Sequence, residues 1–129
     1  MSKIFIIDDN EDFVLLFCQA VAKVYPGIQC LSAENGYSAL RQLKFMLPTV
    51  PDLIFVDVKM PIMDGHEIVA EVKKTEFLSG VPVIMYTAQE HPGDRDKAEK
   101  AQVSGFFTKP STTEKINAML NEAGKMMRA

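Results

Sequence analysis

Nowhere along the chain do lysines and arginines gather into a run, and the formal charge at neutral pH is −3. A nucleic-acid backbone is held by clustered cations, so direct binding to DNA or RNA is disfavoured. Long apolar runs are missing too. None approaches the roughly 20 residues of a membrane-spanning helix, and the N-terminus lacks the basic and apolar regions of a signal peptide. No membrane partner is expected, and a cytoplasmic location is. Cysteine is scarce: Cys18 and Cys30 form neither a CxxC motif nor the basis of a disulfide framework, and they read as two reduced, partly buried thiols without a function. Repeats, linkers and low-complexity tracts are also absent. A chain of 129 residues that is 47% hydrophobic and 24% charged therefore reads as one domain, residues 1–129, able to bury a real core.

What is present alternates. Five short β-rich runs are each followed by a helical pattern, which points to a parallel sheet covered by helices on both faces. The expected strands are Lys3 to Ile7, Ile28 to Ser32, Leu53 to Val56, Val83 to Tyr86 and Gly105 to Thr108. Helical spacing marks one apolar stripe at Phe13, Leu16, Phe17, Ala20, Val21 and Val24, and another at Ile116, Met119, Leu120, Ala123 and Met127. Asp64 with Glu67 and Ser111 with Glu114 have capping-box spacing, and helices are expected near Gly36 to Leu47 and Gly65 to Lys74. The segment Pro92 to Gln102 is polar, with only Ala98 and Ala101 as an inner face, so its helix should pack least firmly. "LPTVPD", Leu47 to Asp52, reads as a stiff loop into the third strand.

In "KIFIIDDNEDF" an apolar strand runs straight into two adjacent aspartates. At an effective dielectric of about 20, two like charges roughly 4 Å apart repel by on the order of 4 kcal/mol, and a cation is the obvious remedy. In an open α/β sheet ligands bind beyond the carboxyl ends of the strands, where the strand order reverses. The residues standing there are Asp8 and Asp9, Asp57, Thr87 and Lys109. With strand order 2-1-3-4-5 the three aspartates meet at one edge, flanked by Thr87 and Lys109. Hard oxygen ligands in a small cluster suit Mg²⁺. Asp57 could then act as a nucleophile on phosphorus, with Lys109 and the Thr87 hydroxyl on the equatorial oxygens and Ala88 leaving them space. Each residue alone has an ordinary reading as a cap, a turn or a solvated side chain, and Asn10 could cap the first helix without either aspartate. The conjunction at one end of successive strands is what argues for chemistry.

The residues in "IIDDNED", "DLIFVDVKMPIMDG", "VPVIMYTAQ" and "GFFTKP" make the chain resemble, over essentially its whole length, the receiver domain of bacterial two-component response regulators, of the single-domain chemotaxis-regulator type. The resemblance implies a flavodoxin-like (βα)5 sandwich with sheet order 2-1-3-4-5. It further implies Asp57 as phosphoacceptor, Asp9 as a direct ligand to Mg²⁺ (or Mn²⁺), Asp8 acting through water, and the backbone carbonyl of Lys59 completing the metal shell. Thr87 and Lys109 would contact the phosphoryl group, the Lys109 to Pro110 bond would be cis, and Phe106 would report the phosphorylated state. The expected partners are a sensor histidine kinase or phosphotransfer protein and an unknown downstream protein, reached through the face of the fourth helix, fifth strand and fifth helix. If the chain is the whole gene product, its output must be a protein contact or onward phosphotransfer.

Phe106 stands where tyrosine is frequent in that family, and Ser111 where an aromatic residue often follows the proline. Met60, Met63 and Met85 read as loop or core fillers, and His66 and His91 as surface or helix-start residues. Lys59 and Gln89 should lie at the rim where water approaches the phosphoryl group, and so affect its lifetime. Two alternatives fit the residues less well. A phosphatase resembling the haloacid dehalogenase class would need an aspartate two positions beyond the nucleophile, where this chain has Lys59. An unphosphorylated receiver-like scaffold would usually have lost one of the five site residues, and all five are here. The expected activity is self-catalysed phosphorylation and dephosphorylation rather than turnover of a separate substrate.

Overall fold

Ile4, Phe5, Ile6 and Ile7 have no exposed surface in the computed structural model, which describes residues 2–127. They belong to β1 (Lys3–Ile7), the second strand of a five-stranded sheet. The other elements follow in strict alternation: α1 (Glu11–Val24), β2 (Gln29–Ala33), α2 (Gly36–Arg41), β3 (Leu53–Asp57), α3 (Gly65–Lys74), β4 (Val83–Thr87), α4 (Asp94–Lys100), β5 (Gly105–Thr108) and α5 (Thr113–Gly124). All pairings are parallel and the order is β2-β1-β3-β4-β5. This is the flavodoxin-like arrangement, and its order reverses between β1 and β3.

Because successive strand residues point to opposite faces, the continuous apolar runs split into two cores. Phe5, Ile7, Ile54, Val56 and Met85 pack with Ile68, Val69 and Val72 of α3. Ile4, Ile6, Phe55, Ile84 and Tyr86 pack with Phe13 and Phe17 of α1 and with Ile116, Met119 and Leu120 of α5. Phe17 meets Phe55 edge-on, with ring centroids 4.8 Å apart. Among the described residues no helix is long and apolar enough to cross a membrane.

Several local expectations are corrected. Strand β2 begins and ends one residue later than Ile28 to Ser32, and β3 and β4 each run one residue further, taking Asp57 and Thr87 into the strands. The second helix is α-helical only to Arg41 and ends in a π turn over Gln42–Met46, closed by Leu47 N–H donating to Gln42 C=O at 3.1 Å. Pro48 disfavours helical geometry at the residue before it, and Leu47 is accordingly extended. Helix α4 starts only at Asp94, after Gly93 at φ +91°, a left-handed conformation that suits glycine. The capping box of α3 is present as expected, with Asp64 and Glu67 exchanging bonds. That of α5 is not: Thr112, not Ser111, is the cap, accepting from Lys115 N–H at 3.2 Å. Leu16, expected on the inner stripe of α1, is 47% exposed.

The largest correction concerns the cysteines. Cys18 on α1 and Cys30 on β2 form a disulfide, with Cα atoms 5.6 Å apart, inside the range that a disulfide requires. The short connection from α1 into β2 folds the helix back over that strand and brings together thiols 12 residues apart. Disulfides persist in oxidising surroundings, so this pairing runs against the expectation of reduced thiols in a cytoplasm.

Candidate functional site

Asn10 settles which residue caps α1. Its side chain accepts from Phe13 N–H at 3.0 Å, which leaves the two preceding aspartates free of that task. Asp8 has a side chain with no exposed surface, and its Oδ1 accepts Asn10 N–H at 2.8 Å. Asp9, the next residue, is exposed. Asp57 ends β3, next to β1 in the sheet, and is buried. One carboxylate oxygen from each of Asp8, Asp9 and Asp57 lies within 4.8 Å of the others.

Lys109, just past β5, reaches this cluster from the other side. Its Nζ lies 3.0 Å from Asp8 Oδ2 and 3.4 Å from Asp57 Oδ2. It also sits 4.6 Å from the centroid of the Phe13 ring and 5.8 Å from that of Tyr86, within cation–π range. One ammonium therefore pairs with two of the three acids. Burial pushes the Asp57 carboxyl up to about 6, and the neighbouring Asp8 charge adds to this. The Lys109 charge, the Lys59 N–H bond at 3.2 Å and the Lys109 hydrogen bond pull the other way without cancelling it.

The loop behind Asp57 explains the run "MPIMDG". A Cβ on Gly65 would meet the Asp57 carbonyl oxygen at 2.5 Å and Val58 Cα at 2.8 Å, while Gly65 N–H donates to Val58 C=O at 2.9 Å. Only glycine lets α3 begin this close to the strand that carries Asp57. Gly65→Ala should cost about 1–3 kcal/mol of stability, as an overpacked site does, and should disturb Asp57. Chemical denaturation with backbone NMR checks it, and a variant as stable as the parent with unmoved resonances at residues 57 and 58 would contradict it.

Not all the expected site residues converge. The Thr87 hydroxyl donates to the Gln89 carbonyl at 3.0 Å within its own loop. Ala88 is exposed beside it. Phe106 is half-buried on β5, packed partly on the α3-side core, with the Arg95 guanidinium 4.7 Å from its ring centroid. Arg95 is in turn held by Glu90 through two bonds, at 2.9 and 3.2 Å. Pro110 is buried, but its peptide bond is trans, like every described peptide bond, where cis was expected. Trans is the lower-energy isomer for X–Pro by about 0.5–1 kcal/mol.

Two features escaped the sequence reading. Tyr86, whose ring is core, donates its hydroxyl to Asp8 Oδ2 at 2.7 Å. Burial above all, and then the Asp8 charge, push that hydroxyl well above its ordinary value, so it stays a donor. A buried tyrosine hydroxyl needs a partner, and that was the signal available. His66 was expected to be a surface or helix-start residue. It is instead only 14% exposed and pairs through Nε2 with buried Asp94 Oδ1 at 3.0 Å. Asp94 Oδ2 also takes His91 N–H at 2.8 Å and faces Lys59 Nζ at 3.5 Å. The Lys59 side chain thus points to the start of α4.

A family model described as "Response regulator receiver domain" matches residues 4–121. The chain is 33% identical over 108 residues to the chemotaxis protein CheY of Halobacterium salinarum, covering 84% of each. It is 32% identical over 100 residues to the sensor histidine kinase CheAY of Helicobacter pylori, covering 78% of this chain but 12% of that protein. Among solved structures, the phosphorylated cyanobacterial phytochrome response regulator RcpA has the same fold, with a TM-score of 0.87 at 22% identity, over 98% of this chain and 96% of that one. So has the Mn²⁺-bound form of response regulator Rcp1, with a TM-score of 0.84 at 19% identity, over 94% and 93%.

Proposed function

Because the chain belongs to the response regulator receiver domain family, we propose that residues 1–129 act as one phosphorylation-controlled switch that takes a phosphoryl group onto Asp57. The observation that carries this reading is the convergence of Asp8, Asp9 and Asp57 with Lys109 bridging two of them. No observation favours the phosphatase or the unphosphorylated scaffold. Lys59, two positions beyond Asp57, faces Asp94 rather than a leaving group.

The donor set fits a hard divalent cation, with three carboxylates close together and the Asp9 side open to solvent. Asp9, Asp57 and the Lys59 carbonyl would hold Mg²⁺ or Mn²⁺, with Asp8 acting through water, and the solved Rcp1 structure is a Mn²⁺-bound one. When bound, such a cation neutralises the charge of an approaching phosphoryl group. The rest is done by the chain's own groups. A carboxylate oxygen of Asp57 forms the new P–O bond as the donor's P–N bond breaks. The donor imidazole leaves with that electron pair and is protonated from solvent. Lys109 turns from the aspartates to the developing charge on the equatorial oxygens, the Thr87 hydroxyl leaves Gln89 for the same oxygens, and Ala88 keeps that side unobstructed.

The donor is the phosphohistidine of a sensor histidine kinase or phosphotransfer protein, and the output is a contact with a downstream protein through α4, β5 and α5. Supporting this face, α4 buries only Asp94 and Ala98 of its seven residues, and Phe106 lies beside it under Arg95. As phenylalanine, residue 106 can turn inward without a hydroxyl to satisfy, so the switch on this face should be modest. The assignment of the acceptor is tested by treating the protein with acetyl phosphate and Mg²⁺, reducing with borohydride and mapping peptides. An acyl phosphate at Asp57 is converted to homoserine at position 57, and label at any other position would refute it.

A further inference from the structure

The function proposed above asks Lys109 to leave Asp8, and the geometry makes that costly. Lys109 is 15% exposed, lies against the paired Phe13 and Tyr86 rings and touches two carboxylates. Asp8 has no exposed side-chain surface, and a buried carboxylate that loses its cation is strongly penalised unless other donors remain. Oδ1 keeps Asn10 N–H at 2.8 Å. Oδ2 keeps the Tyr86 hydroxyl at 2.7 Å, a shorter contact than the 3.0 Å to Lys109. The tyrosine ring is fully buried and packs on Phe13 with centroids 5.5 Å apart. The hydroxyl is therefore a fixed donor, whereas the lysine is a movable one.

We propose that Tyr86 is a positioning residue for the phosphoryl-transfer site: its hydroxyl keeps Asp8 Oδ2 satisfied and oriented, so that Lys109 can be released to an incoming anion and a cation can be admitted among the aspartates. The role rests on the receiver reading and acts through Asp8 and Lys109, not by contact with the phosphoryl group. A phenylalanine at this position would fill the same core space and leave Lys109 as the side-chain donor to Oδ2. The lysine would then be held more tightly and would compete more effectively with a metal ion.

The test is a double-mutant cycle on Mn²⁺ binding alone, read from the electron paramagnetic resonance signal of free Mn²⁺, for the parent, Tyr86→Phe, Lys109→Ala and the double variant. Tyr86→Phe keeps the ring and its packing. It should weaken Mn²⁺ binding by about fivefold when Lys109 is present and by less than about twofold in the Lys109→Ala background. A purely structural tyrosine would shift both backgrounds equally. Equal effects in both, or none in either, would overturn the assignment. Labelling of the parent by acetyl phosphate is measured alongside. A labelled parent with an additive cycle faults Tyr86 alone, and the expected cycle with an unlabelled parent faults the receiver reading while upholding the coupling of Tyr86 to Lys109.

Discussion

Lys109→Ala should slow phosphorylation by acetyl phosphate by about 100-fold or more, the usual consequence of removing one preorganised donor from the oxygens where negative charge develops. The lysine is placed for this: it is mostly buried, lies against two packed rings, and is already 3.4 Å from the carboxylate oxygen of Asp57. Its loss also leaves Asp8 and Asp57 without their nearby cation, so the metal-free variant should melt below the parent and gain more on adding Mg²⁺. Stopped-flow or quenched labelling followed by intact mass gives the rate. A rate within about twofold of the parent, at saturating Mg²⁺, would remove Lys109 from the transfer step.

Mg²⁺ should raise the melting midpoint by about 10 °C at a concentration near 100 times its dissociation constant, since a ligand binding only the native state then contributes about 2.7 kcal/mol. The aspartates provide the reason. Asp57 in the folded protein is lifted to about 6, mainly by burial and then by Asp8, whereas an unfolded aspartate titrates near its ordinary value. A carboxyl whose folded pKa is raised favours the fold when protonated. Its contribution is therefore fully present below the unfolded value and is lost as pH rises through about 6. Metal-free protein should accordingly lose about 1–2 kcal/mol between acidic and neutral pH on account of Asp57, after allowing for solvent at the open side of the site. Asp57→Asn should flatten that window and raise the metal-free midpoint at neutral pH. Calorimetry across the window, with chelator and with about 20 mM Mg²⁺, gives the check. A midpoint indifferent to the metal would count against the cluster as a cation site.

Much of this was legible because it is local or periodic. The run from Ile4 to Ile7 followed by two aspartates marks a buried strand and what stands beyond its end, and Asn10 three residues before Phe13 marks the cap that frees those acids. The sheet order brings Asp57 beside Asp8 and Asp9 as expected. What was not legible depends on contacts across long separations or on choices of small energy. Tyr86 finds Asp8 from 78 residues away, and His66 finds Asp94 from 28. Nothing in the residues near a tyrosine or a histidine names such a partner. The Cys18 and Cys30 pairing needs the return of α1 over β2, which spacing alone does not reveal. The slip of the α5 cap from Ser111 to Thr112 separates two adjacent hydroxyl residues that can both cap a helix, so their difference in cap preference is too small to fix the start. The Thr87 hydroxyl points to its own loop rather than to the acids, and the sequence carries only the proximity of Thr87 to the site, not the rotamer.

The central claim is that the aspartate cluster makes Asp57 a metal-dependent acceptor. Intact mass spectrometry after incubation with acetyl phosphate tests it without knowing the kinase. With Mg²⁺ present each chain should gain one phosphoryl group, with no gain in excess chelator or in Asp57→Asn. A parent protein that stays unmodified in Mg²⁺, or a gain that persists in chelator or in Asp57→Asn, would contradict it.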